Sequence, residues 1–240
     1  MPDLGHPLRF GVFLPNPVDQ PTGVVGLAQL AEQRGLDLIG VQDHPYNPEL
    51  LDCWTLLSHL SGATSTIGLF PDVACVPLRP PAVLARSAAS LDLLSGGRVE
   101  LGLGAGYFLE PIAAMGGPAL SRGAAVDALE EAIGVIRAIW SAPGPITLDG
   151  RFHRVTEAAP GPRPAHEIGV WVGAYGKRML SLTARLADGW VPSQGYADPT
   201  EAARLNRRID TLAVDAGRQP QDIKRIYNIN GRFAAQGGGS

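Results

Sequence analysis

Residues 73–106 read V-A-C-V-P-L-R-P-P, then A-V-L-A-R-S-A-A-S-L-D-L-L-S-G-G-R, then V-E-L-G-L-G-A-G. The apolar run Ile67 to Val76 predicts a strand, and Pro81 to Leu94 predicts a helix with proline in its first turn, where the missing N–H is not needed. Leu84, Ser87, Ala88 and Leu91 fall at i, i+3, i+4 and i+7, a narrow face suited to packing on a sheet. Val99 to Leu103 is the next strand, and Gly104-Ala105-Gly106 follows it. Small residues there let backbone N–H groups approach a phosphate or a ring edge. In a parallel βα barrel, loops at the carboxyl ends of strands are where chemistry is done.

The same alternation extends both ways. Leu8 to Leu14 predicts a first strand, Val24 to Arg34 a helix closed by Gly35, Leu38 to Val41 a second strand and Leu51 to Leu60 a helix. Leu129, Ile133, Ile136 and Trp140 mark a longer helix, after which 141–167 reads as an excursion with turn and β-branched residues around Asp149-Gly150. The repeat resumes with Ile168 to Val172, a helix from Lys177 to Leu186, Trp190 to Val191, a helix begun by Asp198-Pro199, and a strand from Ile226 to Ile229. The whole chain, 1–240, reads as one α/β domain. Seven strands in this order favour a (β/α)8 TIM barrel without a recognisable eighth β/α unit at its C-terminal end over an open doubly wound sheet. Either that unit lies elsewhere, or a partner completes the sheet, or the barrel is open. Gln236 to Ser240 reads as a flexible tail.

With 45% hydrophobic and 18% charged residues the chain can bury a sizeable core. A formal net charge of −3, with no basic run interleaved with aromatics, argues against nucleic acid as a partner. Met1 to Arg9 has no leader character and no apolar run reaches membrane-spanning length, so the expectation is a soluble cytoplasmic protein with no membrane partner. Cys53 and Cys75 match no metal or redox spacing and read as buried thiols. The five histidines form no H-x-H or H-E-x-x-H pair, so no metal site is expected.

Asp43 and His44 follow the second strand, where barrel enzymes place functional groups. Histidine handles protons near neutral pH and a neighbouring carboxylate can orient it; the alternative is a His-Pro turn with Asp43 as a cap. Pro71-Asp72-Val73 interrupts the third strand, which predicts a bulge or strained peptide, or else a kink at the rim. Arg79 reads as a surface arginine between prolines, with anion neutralisation as the alternative. Gly173-Ala174-Tyr175-Gly176-Lys177 feeds a helix amino terminus and, with Gly104 to Gly106, gives two phosphate-compatible loops on one rim, or two tight turns. The two lysines, Lys177 and Lys224, both read as lying outside strand interiors, against a Schiff-base enzyme.

The segments R-F-G-V-F-L-P, V-Q-D-H-P, V-P-L-R-P-P-A-V-L-A-R, L-D-L-L-S-G-G-R-V-E-L-G-L-G-A-G, V-W-V-G-A-Y-G-K-R-M-L and A-D-G-W, spanning Arg9 to Trp190, resemble the luciferase-like monooxygenase superfamily. The resemblance implies a flavin- or deazaflavin-dependent (β/α)8 barrel acting on a small organic substrate by hydride transfer or oxygen activation. It implies that Asp43 and His44 lie beside the ring, His44 moving a proton and Asp43 orienting it. Asp72-Val73 would be the strand bulge, often with a non-prolyl cis peptide, that supports the ring. Gly104, Ala105 and Gly106, with Tyr107 next to them, would border the cofactor. Gly176 and Lys177, on the loop that also holds Gly173 and Tyr175, would meet its phosphate. The D-H form resembles the coenzyme F420 branch more than the FMN branch. Tyr107 stands where some F420-dependent sugar-phosphate dehydrogenases carry a glutamate. A flavin or F420 reductase and a homodimer or larger assembly are the expected partners. The rival readings are a non-catalytic flavin-binding protein and a phosphate-binding lyase or isomerase.

Overall fold

The computed structural model describes residues 5–231; the glycine-rich stretch 236–240 lies outside them. Strands β1 (Gly11–Leu14), β2 (Leu38–Val41) and β3 (Gly68–Pro71) pair in parallel. So do β4 (Ala74–Cys75), β5 (Leu101–Gly104), β8 (Val170–Val172), β9 (Gly189–Trp190) and β10 (Lys224–Arg225). β3 and β4 are halves of one expected strand, parted at the Asp72–Val73 peptide, which is cis. Leu69 bridges Val99, so the two groups form one curved parallel sheet. Its order follows the chain.

Helices α1 (Pro21–Gln33), α2 (Cys53–Ala63), α3 (Pro81–Ser95), α5 (Arg122–Ser141), α6 (Lys177–Leu186) and α7 (Pro199–Asp215) lie between these strands, with a short α4 (Leu109–Ala114) that the sequence reading missed. Local chemistry sets their ends. Asp52, Ser121 and Asp198 accept from Thr55 N, Ala124 N and Glu201 N, each satisfying a donor that the first turn leaves free. Gly96, with φ of 75°, closes α3 in the left-handed region where side chains are disfavoured. The excursion is an antiparallel hairpin of β6 (Ile146–Asp149) and β7 (Arg154–Ala158).

Outward side chains of the strands pack on the helices. Val12 and Leu14 of β1, Ile39 and Val41 of β2, and Leu101 and Leu103 of β5 meet Leu57, Leu60, Leu84, Ala88, Leu129 and Ile133. Each fully buried leucine or isoleucine contributes about 1.5–3 kcal/mol. Inward side chains are of two extreme sizes. Phe70 and Trp171 pack edge to face, 5.0 Å between centroids, with Leu38 and Val191 completing the lumen cluster. Glycines opposite make room for them: a Cβ on Gly40 would come 2.8 Å from the Phe70 ring, and one on Gly189 would strike Trp171. At the amino-terminal end of the lumen Lys224 meets Glu100 at 3.2 Å and lies 5.7 Å over the Trp171 ring. Lys224 therefore opens strand β10, at its first position. Pairing with β9 continues past the expected start at Ile226, through Ile226 N to the Trp190 carbonyl and Asn228 N to the Pro192 carbonyl.

Among the described residues no pairing joins β1 to β10, so the barrel is not closed there. Phe13, on the lumen side of β1, is 45% exposed. The His6 ring and the Gln221 carbonyl, 2.7 Å apart, link the segments leading into the two strands.

Candidate functional site

The carboxyl ends of the strands bring together residues far apart in sequence. Val73, just after the cis peptide, is seated between two glycines of different strands. Its Cγ2 would be 2.8 Å from a Cβ on Gly104 and 3.3 Å from one on Gly173. Both loops singled out in the sequence thus converge on one apolar side chain. Their glycines clear space for Val73, and Gly106, with φ of 86°, clears space for Pro77 and Ile112. The protein itself fills the room that was expected to admit a ligand's phosphate at Gly106.

Asp43 is buried, and its carboxylate is fully committed. Arg79 donates to it twice, from Nε at 2.7 Å and Nη2 at 2.6 Å, and Cys75 N adds a third bond at 2.8 Å. The second contact of Arg79 Nη2 is Asp52, 2.7 Å away, which also caps α2. Burial works against the guanidinium charge, but its two carboxylates more than offset this and hold its pKa above the ordinary value. Arg79 is therefore a half-buried clamp and not a free surface arginine. It ties the end of β2 to β4 and to the start of α2. No hydrogen bond joins Asp43 to the His44 ring among the described residues; Asp43 acts on His44 through its charge. Burial lowers the His44 pKa, with Asp43 opposing, so the imidazole is neutral near pH 7.

His44 is the first ring of an aromatic rim. It stacks on Tyr46 at 5.5 Å and meets Phe108 edge-on at 5.7 Å. Phe108 touches Tyr107, Tyr107 touches Tyr196, and Tyr196 touches Tyr175. Tyr107 and Tyr196 are each about 60% exposed, unusual for large aromatic side chains. Arg122 lies 5.2 Å over the Tyr107 ring. A cleft of about 230 Å³ opens beside His44, lined by Asp43, Leu51, Cys53 and Met115 among others. A smaller cavity, of about 80 Å³, is lined by Val76, Pro77, Ala105, Leu129 and His153.

The β8–α6 loop is held from below and from one side. Trp190 Nε1 donates to the Ala174 carbonyl at 2.8 Å, and Ser193 N donates to the Tyr175 hydroxyl at 2.8 Å. Gly176 caps α6 with no side-chain bond, leaving the helix N–H groups and the exposed Lys177 facing solvent. Of the expected residues, Val73, Gly104 and Gly173 are brought together directly, and Tyr107 and Tyr175 join through the rim. Tyr46, Phe108, Tyr196 and Ser193 carry no sequence signal, because three separate loops contribute them and no spacing connects them. Arg79 differs from the surface arginine its sequence context suggests, because Asp43 and Asp52 both bind it.

Asp72 differs from every other carboxylate described so far. Its Oδ2 is buried and has no hydrogen-bond partner. Burial pushes its pKa up to about 7, with the Asn228 amide opposing. An apolar seat at Val73, a carboxyl with one unpartnered oxygen beside it and an aromatic rim at the same end fit a flat heteroaromatic ring with one polar edge.

A model of the luciferase-like monooxygenase family matches residues 8–231. The chain belongs to the luciferase-like monooxygenase family. A phthiodiolone/phenolphthiodiolone dimycocerosates ketoreductase of Mycobacterium tuberculosis is 34% identical over 177 residues, 71% of this chain and 44% of that protein. The chain thus spans less than half of that relative. The coenzyme F420-dependent tetrahydromethanopterin reductase of Methanopyrus kandleri superposes with a TM-score of 0.80 and 26% identity, covering 92% of this chain and 65% of that one. An F420-dependent secondary alcohol dehydrogenase, solved with an F420–acetone adduct, gives 0.84 and 22%, covering 92% and 68%. Luciferase-like proteins of this kind are F420- or flavin-dependent oxidoreductases and monooxygenases. Among the described residues no helix is long and apolar enough to cross a membrane.

Proposed function

We propose that this chain is an F420-dependent oxidoreductase that interconverts a carbonyl and an alcohol on a small organic substrate, FMN being the alternative cofactor. The observation that carries the reading is the placement of His44 in an aromatic rim at the carboxyl ends of the strands, the end that also holds the Val73 seat. The likeness to a ketoreductase and to an F420-dependent reductase supports the same chemistry. Val73, Gly104, Gly173 and Asp72 would hold the ring, and Gly176 and Lys177 its phosphate. When bound, the reduced deazaflavin supplies a hydride equivalent.

The chain's own contribution is to place and move a proton. A neutral imidazole can accept the proton of an alcohol oxygen, and its protonated form can return it to a carbonyl oxygen. Asp43 does not take that proton, because Arg79 and the Cys75 amide occupy its oxygens; it stabilises the charge that His44 gains. The stacked Tyr46 and the edge of Phe108 limit the ring's freedom and screen it from water. The exposed Tyr107 and Tyr196 form the part of the rim that a substrate meets first.

Parallel fluorescence titrations with F420 and FMN test the cofactor. Saturable binding of F420 alone is expected, followed by F420H2-dependent reduction of ketones by the wild type. His44→Ala should retain binding and lose about 10²–10⁴-fold in turnover. Unchanged turnover removes His44 from the mechanism. Binding of FMN alone moves the chain to the flavin branch, and tight flavin binding without turnover makes it a binding protein.

A further inference from the structure

The fold provides room for the Asp72 carboxyl, and a side-chain hydrogen bond from Asn228 reaches the group, but Oδ2 is left without a partner. A Cβ on Gly40 of β2 would come 3.0 Å from Oδ2, so the bare Cα at that position is what admits the group. Asp72 N is used, donating to the Val41 carbonyl at 2.7 Å, while Oδ2 accepts nothing. The Asn228 side chain, on the segment following β10, donates to Ser193 Oγ at 3.2 Å. The titratable groups that feel Asp72 are Cys53 of α2 and Tyr175 of the β8–α6 loop. Burial holds both neutral, and no cationic side chain contributes to the Asp72 environment.

A buried carboxyl oxygen without a hydrogen bond destabilises the empty protein. Among the described residues the other buried acids, Asp43, Asp92 and Glu100, have hydrogen bonds to both carboxylate oxygens. The exception is beside Val73, at the level where the lumen opens to the rim. An unsatisfied group at such a position fits a ligand that brings the missing bond.

We infer that the Asp72 carboxyl is a ligand-binding group, whose Oδ2 hydrogen-bonds the polar edge of the ring seated on Val73 and gains from that ring the partner it lacks. The inference rests on the cofactor reading given above, in which Asp72 lies against the ring, and gives its side chain a specific contact there.

Wild type, Asp72→Asn and Asp72→Ala are compared in two measurements. The first is thermal unfolding without ligand at pH 8. The isosteric Asp72→Asn should unfold about 2–4 °C higher, because a buried charge is removed and no cavity is made. The second is fluorescence titration with F420 and with FMN, recording the absorption spectrum of the bound ring. Asp72→Ala should bind about tenfold more weakly, with a displaced spectrum, and Asp72→Asn should lie between. Higher stability together with weaker binding supports the inference. A lower unfolding midpoint for Asp72→Asn means the carboxyl is structural and overturns it. Affinity and spectrum indifferent to residue 72 overturn it while leaving the cofactor reading intact. If neither cofactor binds the wild type, the cofactor reading fails and this inference fails with it.

Discussion

At the end of the barrel where the strands begin, Glu32 Oε1 accepts from Ser65 N, Thr66 N and Ile67 N at 2.6–3.0 Å. Asp92, fully buried, accepts from Val99 N, Ala165 N, His166 N and His166 Nδ1. Arg98 donates to Ser61, Thr64, Ser95 and Ile67 carbonyls, gathering α2, α3 and β3. At the other end Asp72 Oδ2 accepts nothing, Tyr107 and Tyr196 stand exposed, and α6 begins without a side-chain cap. The Asp43–Arg79–Asp52 cluster is the exception there, and it anchors the loop that carries His44. Bonded carboxylates at one end and an open carboxylate oxygen with exposed aromatic rings at the other separate the work of staying folded from the work of binding. Substitutions at the two ends should therefore read out in different assays.

The strongest test removes a fully satisfied acid. Asp92→Ala strands three backbone N–H groups and the His166 ring that it orients. Breaking such a buried cluster costs about 3–5 kcal/mol, measured as urea unfolding free energy. Protein that stays folded should keep its cofactor affinity. A stable Asp92→Ala variant with lost binding would break the division between the two ends. Its counterpart is His44→Ala, which should lose turnover by the factor given above and melt within about 1–2 °C of wild type.

Acid and base titrations sharpen the same contrast, because the two carboxyls shift in opposite directions. Burial would raise the Glu32 pKa, but its backbone hydrogen bonds outweigh this and hold it at about 2, below the ordinary 4.5. Its contribution is complete above pH 4.5 and is lost as pH falls through about 2. The Asp72 pKa is raised from 3.8 to about 7, so its neutral form stabilises the fold below pH 3.8 and that contribution is lost as pH rises through about 7. Glu32→Gln should flatten the acid limb of a stability–pH curve, and Asp72→Asn the limb between about pH 4 and 7. Curves of both variants parallel to wild type would show that neither carboxyl is bonded as described.

Much of the stable end and of the framework was legible in the sequence, and the reasons are local. Pro81, Asp198-Pro199 and Gly35 act within a turn of where they stand, and the strands are short apolar runs. The third strand's interruption was visible because proline stands at 71 and Asp72 follows. The site itself depends on distance. Arg79 reads as a surface residue until Asp43, 36 positions away, and Asp52, 27 away, are brought to it. Glycines 104 and 173 look like ligand loops until Val73 is seen between them. The place of Lys224 at the start of a strand is not legible locally, because that strand is defined by pairing with β9 and by Glu100 across the lumen.

Tyr196 gives the smallest effect and a sensitive test of the open end. Its ring touches Tyr107 at 6.0 Å and Tyr175 at 5.4 Å, yet 61% of the residue faces solvent. An aromatic residue this exposed adds little to folding, so Tyr196→Ala should change stability by no more than about 0.5 kcal/mol. Removing a ring from a substrate-facing rim loses contact area and an aromatic partner, worth about 0.5–1.5 kcal/mol, or about two- to tenfold in KM for an apolar substrate. His44 is remote from Tyr196 along the rim, so kcat should hold. A fall in kcat with KM unchanged would mean that Tyr196 positions Tyr175 and its loop instead, since the Tyr175 hydroxyl accepts from Ser193 N. Restoring the ring as Tyr196→Phe decides between the two roles. Full recovery of KM assigns the effect to the aromatic face, and the hydroxyl then has no part in binding.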